Sequence, residues 1–383
     1  MSPLSRDHKG RRPLKNTFMK IEKLYLYNFK NAHEETLTFA PGVNVIYGEN
    51  ASGKTNLLEA LFYFASGKSF RGGKERELIR LGETKAKAEL IFSARGLEKK
   101  MSLALEKGKK RELFVGGIKV QKLSEYLGLF RAVIFTPDHL DLVKGVSENR
   151  RRFLDLAICQ SFPRYAASLN EYGRLLLQKN ALLRGDTPDR ALLAVYHERM
   201  ATLCGVITLN RAKYLANLES AAAEFQKEMS GGLEVLKLKY KSQVLPKEED
   251  TAEILRERYR ELFEAKTEEE IRRGFAVCGV QRDDFDLYLN GLNCKMFGSQ
   301  GQQRSCVLSL KLAEGELSKR LTGEYPVFLL DDILSELDTG RREYILDKIT
   351  GKQVVLTGCE TELFSGYEGC HKIYVEKGVA RNV

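Results

Sequence analysis

Apolar and polar positions change period several times along this chain, and each change marks an element. The run MKIEKLYLYNF from Met19 alternates as a strand does, and Val43 to Tyr47 is a second, β-branched run. Leu57, Leu58, Leu61 and Phe62 then recur at helical spacing. Between residues 80 and 135, KAKAELIFSA and KKMSLALEK alternate again, with turn glycines at Gly108 and Gly116-Gly117, which predicts antiparallel strands. From about Arg150 to about Arg273 the apolar residues fall three and four apart, so this stretch reads as helical. Breaks at Pro163, Gly185 to Pro188 and Gly231-Gly232 are expected to cut it into helices of ordinary length. No heptad is sustained, which argues against a long coiled coil. Val327 to Leu330 is continuously apolar, as in a strand buried on both faces of a parallel sheet. The pattern gives an α/β head with an antiparallel β subregion and an inserted helical arm.

Composition narrows the class. With 383 residues, 43% hydrophobic and 30% charged, the chain buries a core and stays solvated. No run approaches the roughly 18 apolar residues of a membrane span. A net charge of +10 favours an anionic partner, nucleic acid ahead of membrane. The seven cysteines include no CxxC pair and read as reduced, mostly buried cytoplasmic thiols, and the five histidines form no metal-like cluster. Residues 1–18 are basic and poor in apolar side chains. They are expected to be disordered, either as an extension before a second start at Met19 or as a phosphate-binding arm.

The clearest chemistry follows the strand at Val43. Gly48-Glu49-Asn50-Ala51-Ser52-Gly53-Lys54-Thr55 fits G-x-x-x-x-G-K-[ST] in a strand-loop-helix setting, with Asn56 next on the helix. Glycines let backbone N–H groups close round phosphate oxygens at a helix N-terminus, where the dipole also favours negative charge. Lys54 is expected to reach the β and γ phosphates of ATP, and Thr55 to ligate Mg2+. The metal site needs a carboxylate, and YPVFLLDD supplies it: Asp331 at the carboxyl end of an apolar strand as the second magnesium ligand, then Asp332 as a base orienting water. The other reading of Asp332 is a hydrogen-bond acceptor behind the metal ligand.

A third segment, FGSQGQQRS, has neither core spacing nor linker polarity. Ser299 and Gly301 before an apolar helix (Val307, Leu308, Leu310) offer a hydroxyl, backbone N–H groups and a helix N-terminus, a second anion site. The order of phosphate loop, long insertion, Gly298-Ser299-Gln300-Gly301-Gln302 and acidic strand resembles the ATP-binding-cassette superfamily. That resemblance implies that Ser299, Gly301 and Gln302 meet the ATP of a second subunit, in a two-fold dimer closed over two nucleotides. SELD, Ser335 to Asp338, resembles the loop crossing that interface.

Within the superfamily, LYLYNFKNAHEETLTFAPGVNVIYGENASGKTNLLEAL resembles the SMC and repair-ATPase branch. ASGKSFRG, VIFTPDHLDLVKGVSENRRRFLDLAI, GVQRDDFDLYLNG, SQGQQRSCVLSLKLAE and LLDDILSELD stand in the order of the RecF family of recombination and repair proteins. From Met19 to the C-terminus the chain is identified as a member. Membership implies a cytoplasmic, slow, DNA-stimulated ATPase that binds single-stranded and gapped DNA as an ATP-dependent homodimer, works with RecO and RecR, and takes part in SOS induction. Two positions depart from pattern: Gln281 stands where the family's His is expected, and Thr357 where transporters keep a switch histidine. Thr cannot accept charge, so slow turnover is the expectation.

For DNA, Arg150, Arg151 and Arg152 form one basic cluster and Lys68, Arg71 and Lys74 another, suited to phosphate contacts without sequence choice. The alternatives are a solvated helix end for the first cluster and a nucleotide contact for Arg71. The predicted division is a basic extension at 1–18, head at 19–149, helical arm at 150–273 and returning head at 274–383. A transporter subunit or an SMC-like tether are the competing classes; the first lacks its histidine and the second its heptads and CxxC.

Overall fold

The computed structural model describes residues 18–358 and 369–383. The sequence-predicted extension therefore lies outside the described residues apart from Phe18, as does Cys359.

Two six-stranded sheets sandwich the helix that follows the phosphate loop. The first sheet is antiparallel: β1 (Lys20–Phe29), β2 (Ala32–Thr38), β4 (Lys85–Ala94), β5 (Leu97–Glu106), β6 (Glu112–Val115) and β7 (Ile118–Lys119), in the order β2-β1-β4-β5-β6-β7. The alternation read from the sequence is its burial pattern, one face inward and one outward. The second sheet is mainly parallel: β3 (Val43–Tyr47), β8 (Ala132–Phe135), β12 (Val327–Leu330), β13 (Val354–Gly358), β14 (His371–Glu376) and the antiparallel edge strand β15 (Val379–Asn382), ordered β15-β14-β3-β13-β12-β8. Strands from both ends of the chain thus share one sheet.

Helix α1 (Lys54–Ser66) is buried almost all round. Its Leu58, Leu61 and Phe64 share a core with Leu24 and Leu90 of the antiparallel sheet and Ile46, Ile134 and Leu329 of the parallel sheet. On the opposite face of the parallel sheet, Val45, Val133, Phe328 and Leu330 pack on α8 (Gln300–Thr322) and α9 (Thr339–Ile349) through Leu308, Leu312, Ile345 and Leu346. A continuous apolar run was needed in β12 because both its faces are covered.

The insertion holds α2 (Asp141–Lys144), α3 (Ser147–Ser161), α4 (Pro163–Leu183), α5 (Arg190–Met229) and α6 (Ala252–Arg273), followed by the short α7 (Cys294–Phe297). Two expectations are corrected here. The helices are not all of ordinary length, since α5 runs for 40 residues. No proline or double glycine interrupts it, and Gly205 at its middle is accommodated because α6 packs against the gap it leaves. Nor is the stretch wholly helical: β9 (Leu236–Lys241) pairs antiparallel with β10 (Asp284–Leu289), which also pairs with β11 (Leu292–Asn293). Alternation in LKLKYK carries that strand signal. By length and composition α5 is long enough to cross a membrane, but half of its most apolar window is buried among the other helices, as in a core helix.

Candidate nucleotide site

The phosphate loop leaves β3 at Gly48 and enters α1 at Lys54. Gly48 is at φ 153°, and a Cβ there would lie 2.1 Å from the Val375 carbonyl oxygen. Gly53 is at φ 115°, with a would-be Cβ 2.3 Å from Asn31 Nδ2. Neither position admits a side chain, for reasons of space as well as backbone. Ala51 between them is also left-handed, at φ 62°.

Lys54 folds back so that Nζ donates to the carbonyls of Gly48 (2.8 Å) and Glu49 (2.9 Å). The loop is braced from outside. The Ser52 carbonyl accepts from Asn31 Nδ2 (3.0 Å) and from the Gly378 N–H (2.9 Å), and Asn31 Oδ1 accepts from Asn56 Nδ2 (2.8 Å). Ser52 Oγ is buried with no hydrogen-bond partner among the described residues. A buried hydroxyl in a glycine cradle at a helix N-terminus fits a polyphosphate.

The acidic strand reaches the same place. Thr55 Oγ1 donates to Asp331 Oδ1 at 2.9 Å, joining residues 276 apart in sequence. Thr357 Oγ1 donates to the same oxygen at 2.9 Å, and accepts from the Asp332 N–H at 2.9 Å. Burial pushes the Asp331 carboxyl above its usual range, and the Thr357 and Thr55 hydroxyls pull it back. A hydroxyl and a carboxylate in contact at a phosphate loop are hard oxygen donors, the set that Mg2+ takes alongside phosphate. Asp332 is left-handed, φ 50° and ψ 13°.

Sequence reasoning missed what lies behind α1. Glu59 is 1% exposed and gathers Ser69 Oγ (2.5 Å), Lys30 Nζ (3.5 Å) and Arg71 Nη1 (3.9 Å). Arg71 also donates to Asn56 Oδ1 at 3.3 Å, so it sits beside the nucleotide loop. A charged residue on an otherwise apolar helical face was the available signal for Glu59.

Ser299 caps α8. Its Oγ accepts from the Gln302 N–H (3.2 Å), while Gln302 Oε1 accepts from the Ser299 N–H (2.9 Å), a reciprocal capping box. That contact leaves the hydroxyl proton of Ser299 unspent, and both residues remain accessible. Gln302 Nε2 donates to Glu234 at 2.9 Å. Gly301 lies under Arg341, whose Nη2 would stand 3.1 Å from a Cβ there. Arg341 Nε bonds Ser305 Oγ (2.7 Å), and Arg304 Nη1 bonds the Glu336 carbonyl (2.8 Å), so two arginines tie the α8 start to the SELD loop.

The DNA-contact expectations divide. Arg150 is 6% exposed and grips Asp284 with two bonds, Nε to Oδ1 at 2.7 Å and Nη2 to Oδ2 at 2.8 Å, so its assignment to DNA is corrected: it is an internal pin. Arg151 is half-buried, with Nη1 on the Asp283 carbonyl (2.7 Å). Arg152 is exposed and donates to the carbonyls of Ser69 (2.6 Å) and Phe70 (3.1 Å). Lys68, Lys74, Arg151 and Arg152 line one cleft of about 780 Å³ between the head and α3–α4. Gln281, the other departure from pattern, accepts a bond from the Tyr172 hydroxyl of α4.

Comparison with known proteins agrees with this architecture. Residues 20–381 match the model of the RecF/RecN/SMC N terminal domain. DNA replication and repair protein RecF of Acetivibrio thermocellus is 38% identical over 367 residues, 95% of this chain and 99% of that protein. The protein of the same name from Geobacillus thermodenitrificans is 43% identical over 87% of this chain and 91% of its own length. A solved structure of the recombination mediator protein RecF-ATPrS in the RecFOR pathway superposes with a TM-score of 0.90 at 32% identity, covering 96% of this chain and 99% of that one. An Smc head from Pyrococcus furiosus, at 16% identity and TM-score 0.55, shares the fold. The chain belongs to the RecF family, and its head is an ATPase fold of the ABC type.

Proposed function

We propose that this protein is an ATP-dependent DNA-binding ATPase of recombinational repair and replication, acting in the cytoplasm as a nucleotide-gated dimer. Gly48 to Asn56 hold the phosphates, with Lys54 on the β and γ groups. Thr55 and Asp331 would hold Mg2+, which would neutralise charge on the transferred phosphoryl group. Asp332 orients the attacking water. Ser299, Gly301 and Gln302 act across the dimer on the partner's ATP, and hydrolysis releases the pair. DNA enters by its phosphates at single-stranded or gapped sites, and RecO- and RecR-type proteins use the assembly to load recombinase and support SOS induction. The division into head (19–149 and 274–383) and arm (150–273) belongs to the same reading.

One observation carries it: the 2.9 Å contact between Thr55 and Asp331, which joins the phosphate loop to the acidic strand. Slow hydrolysis is expected of a site with Thr357 where a histidine would take charge, and its stimulation by DNA is part of the same proposal.

The test is the mass of Asp332→Asn by light scattering, with ADP and with ATP and magnesium, each with and without gapped duplex. A dimer seen only with ATP and strengthened by DNA supports the reading. A monomer in all four conditions removes the dimer.

A further inference from the structure

We infer that Thr357 is a positioning residue for hydrolysis, fixing the Asp331 carboxylate and the Asp332 backbone relative to each other. The inference rests on the roles just given to Asp331 and Asp332. It begins with sheet order. Strand β13 lies between β3, which carries the phosphate loop, and β12, which carries the two acids. Thr357 pairs in register with Ile46 of β3, while Leu356 before it pairs with Leu330 of β12. The hydroxyl near the carboxyl end of β13 therefore stands beside Asp331.

That hydroxyl is 2% exposed, and of the two acceptors its proton can reach, the Leu330 carbonyl at 3.5 Å is the more distant. Its one proton goes to Asp331 Oδ1 at 2.9 Å, and a lone pair takes the Asp332 N–H at 2.9 Å. It has no proton left for a γ-phosphate, so it does not replace a switch histidine at the nucleotide. It acts behind the acids. Asp332 is a non-glycine residue in the left-handed region, a conformation that needs outside support, and its N–H is anchored by Thr357. Asp331 Oδ1 receives two hydroxyl protons, one from the phosphate helix and one from β13. Both fix the direction in which its remaining lone pairs face a metal. A β-branched residue suits the strand, but valine would satisfy that equally; the hydroxyl is the functional part.

The test compares Thr357→Val, which keeps volume and branching, with Thr357→Ser, which keeps the hydroxyl. Partners behind a metal ligand typically change metal affinity or activity by roughly 10–100-fold. Thr357→Val is expected to lower kcat by about tenfold or more, with any rise in KM for the metal-ATP substrate no larger than the loss in metal affinity, since the lost contact orients the metal ligand and the reacting groups. A second readout does not depend on turnover: Mn2+ binding to protein plus a non-hydrolysable ATP analogue, followed by electron paramagnetic resonance, should weaken about tenfold. Thr357→Ser should restore both. Equal loss in the valine and serine variants would assign the effect to packing and overturn the inference, as would wild-type kcat and Mn2+ affinity in Thr357→Val. A raised KM at unchanged kcat would make Thr357 a substrate contact and also overturn it. If Thr357→Val does not fold, Thr357→Ala against Thr357→Ser makes the same comparison. Asp331→Asn and Asp332→Asn run alongside: if both hydrolyse ATP normally, the underlying site assignment fails, whereas their inactivity beside a normal Thr357→Val sinks this inference alone.

Discussion

Replacing Arg150 by alanine separates a phosphate contact from an internal pin. The guanidinium is held by both oxygens of Asp284 and by the carbonyl of Gly145 at 3.1 Å, with its side chain 8% exposed and that of Asp284 18% exposed. Truncation removes these bonds and leaves Asp284 without its cation. Breaking a buried pair by removing one partner costs about 3–5 kcal/mol, and the partial exposure of Asp284 puts this case near the lower end, about 3 kcal/mol. For a chain of 383 residues melting as one unit, that corresponds to a fall in Tm of roughly 4 °C. Arg150→Lys should recover only part of it, since an ammonium cannot make the two parallel bonds. Differential scanning fluorimetry reads the Tm, and a gapped-duplex titration over salt reads the charge contact. The folded variant should keep the wild-type salt dependence, because a buried guanidinium neutralises no phosphate. A variant that melts with wild type and whose salt slope falls by about one phosphate's worth would refute the reasoning.

Other outcomes follow from the same geometry. Burial pushes the Glu270 carboxyl up, but the His197 ring nitrogen 3.6 Å away and the Lys179 ammonium 2.6 Å away outweigh it and hold the pKa at about 2. Unfolded chains take this proton first, so its contribution to stability is present above the ordinary carboxylate range and is lost as pH falls toward 2. Glu270→Gln should flatten the pH dependence of melting in that window and lower Tm at neutral pH by leaving Lys179 unpaired; an unchanged acid profile would count against this. Gly205→Ala gains about 1 kcal/mol of helix propensity. It also places a Cβ 2.3 Å from the Ala252 carbonyl, a backbone atom that cannot turn aside, so a net loss of about 1–3 kcal/mol is expected in thermal melts. Ser299→Arg should abolish ATP-driven dimerisation in light scattering while leaving ATP binding by the monomer intact, and dimerisation equal to wild type would remove the proposed cross-subunit contact.

Most of the head was legible because its signals are local. The phosphate loop, the apolar strand before Asp331 and the capped helix after Ser299 each carry their meaning within about ten residues. What escaped depends on tertiary partners. Arg150, Arg151 and Arg152 are consecutive, yet α3 turns them to three environments: a buried pair, a half-buried carbonyl contact and an exposed cleft wall. A helix advances about 100° per residue, so a run of like charges does not share a face. Glu59 meets Lys30, Ser69 and Arg71, and Thr357 meets Asp331 and Asp332, only once the chain has folded back on itself. The length of α5 was misjudged for a different reason: glycine and proline announce where a helix stops, and between Pro188 and Gly231 only Gly205 offered a break, which α6 fills.

That helix has a mechanical consequence. Its C-terminal part is bound to α8 and to α9, through Gln226 to Ser309 at 2.8 Å and Glu228 to Tyr344 at 2.8 Å, while its first residues meet α6 through Arg190 and Glu268. At 1.5 Å per residue the 40 residues span about 60 Å. A stiff rod of that length is a lever with a short, loaded end. Turning α8 by about 10° would sweep the far end of α5 through about 10 Å, a displacement large enough for another macromolecule to sense.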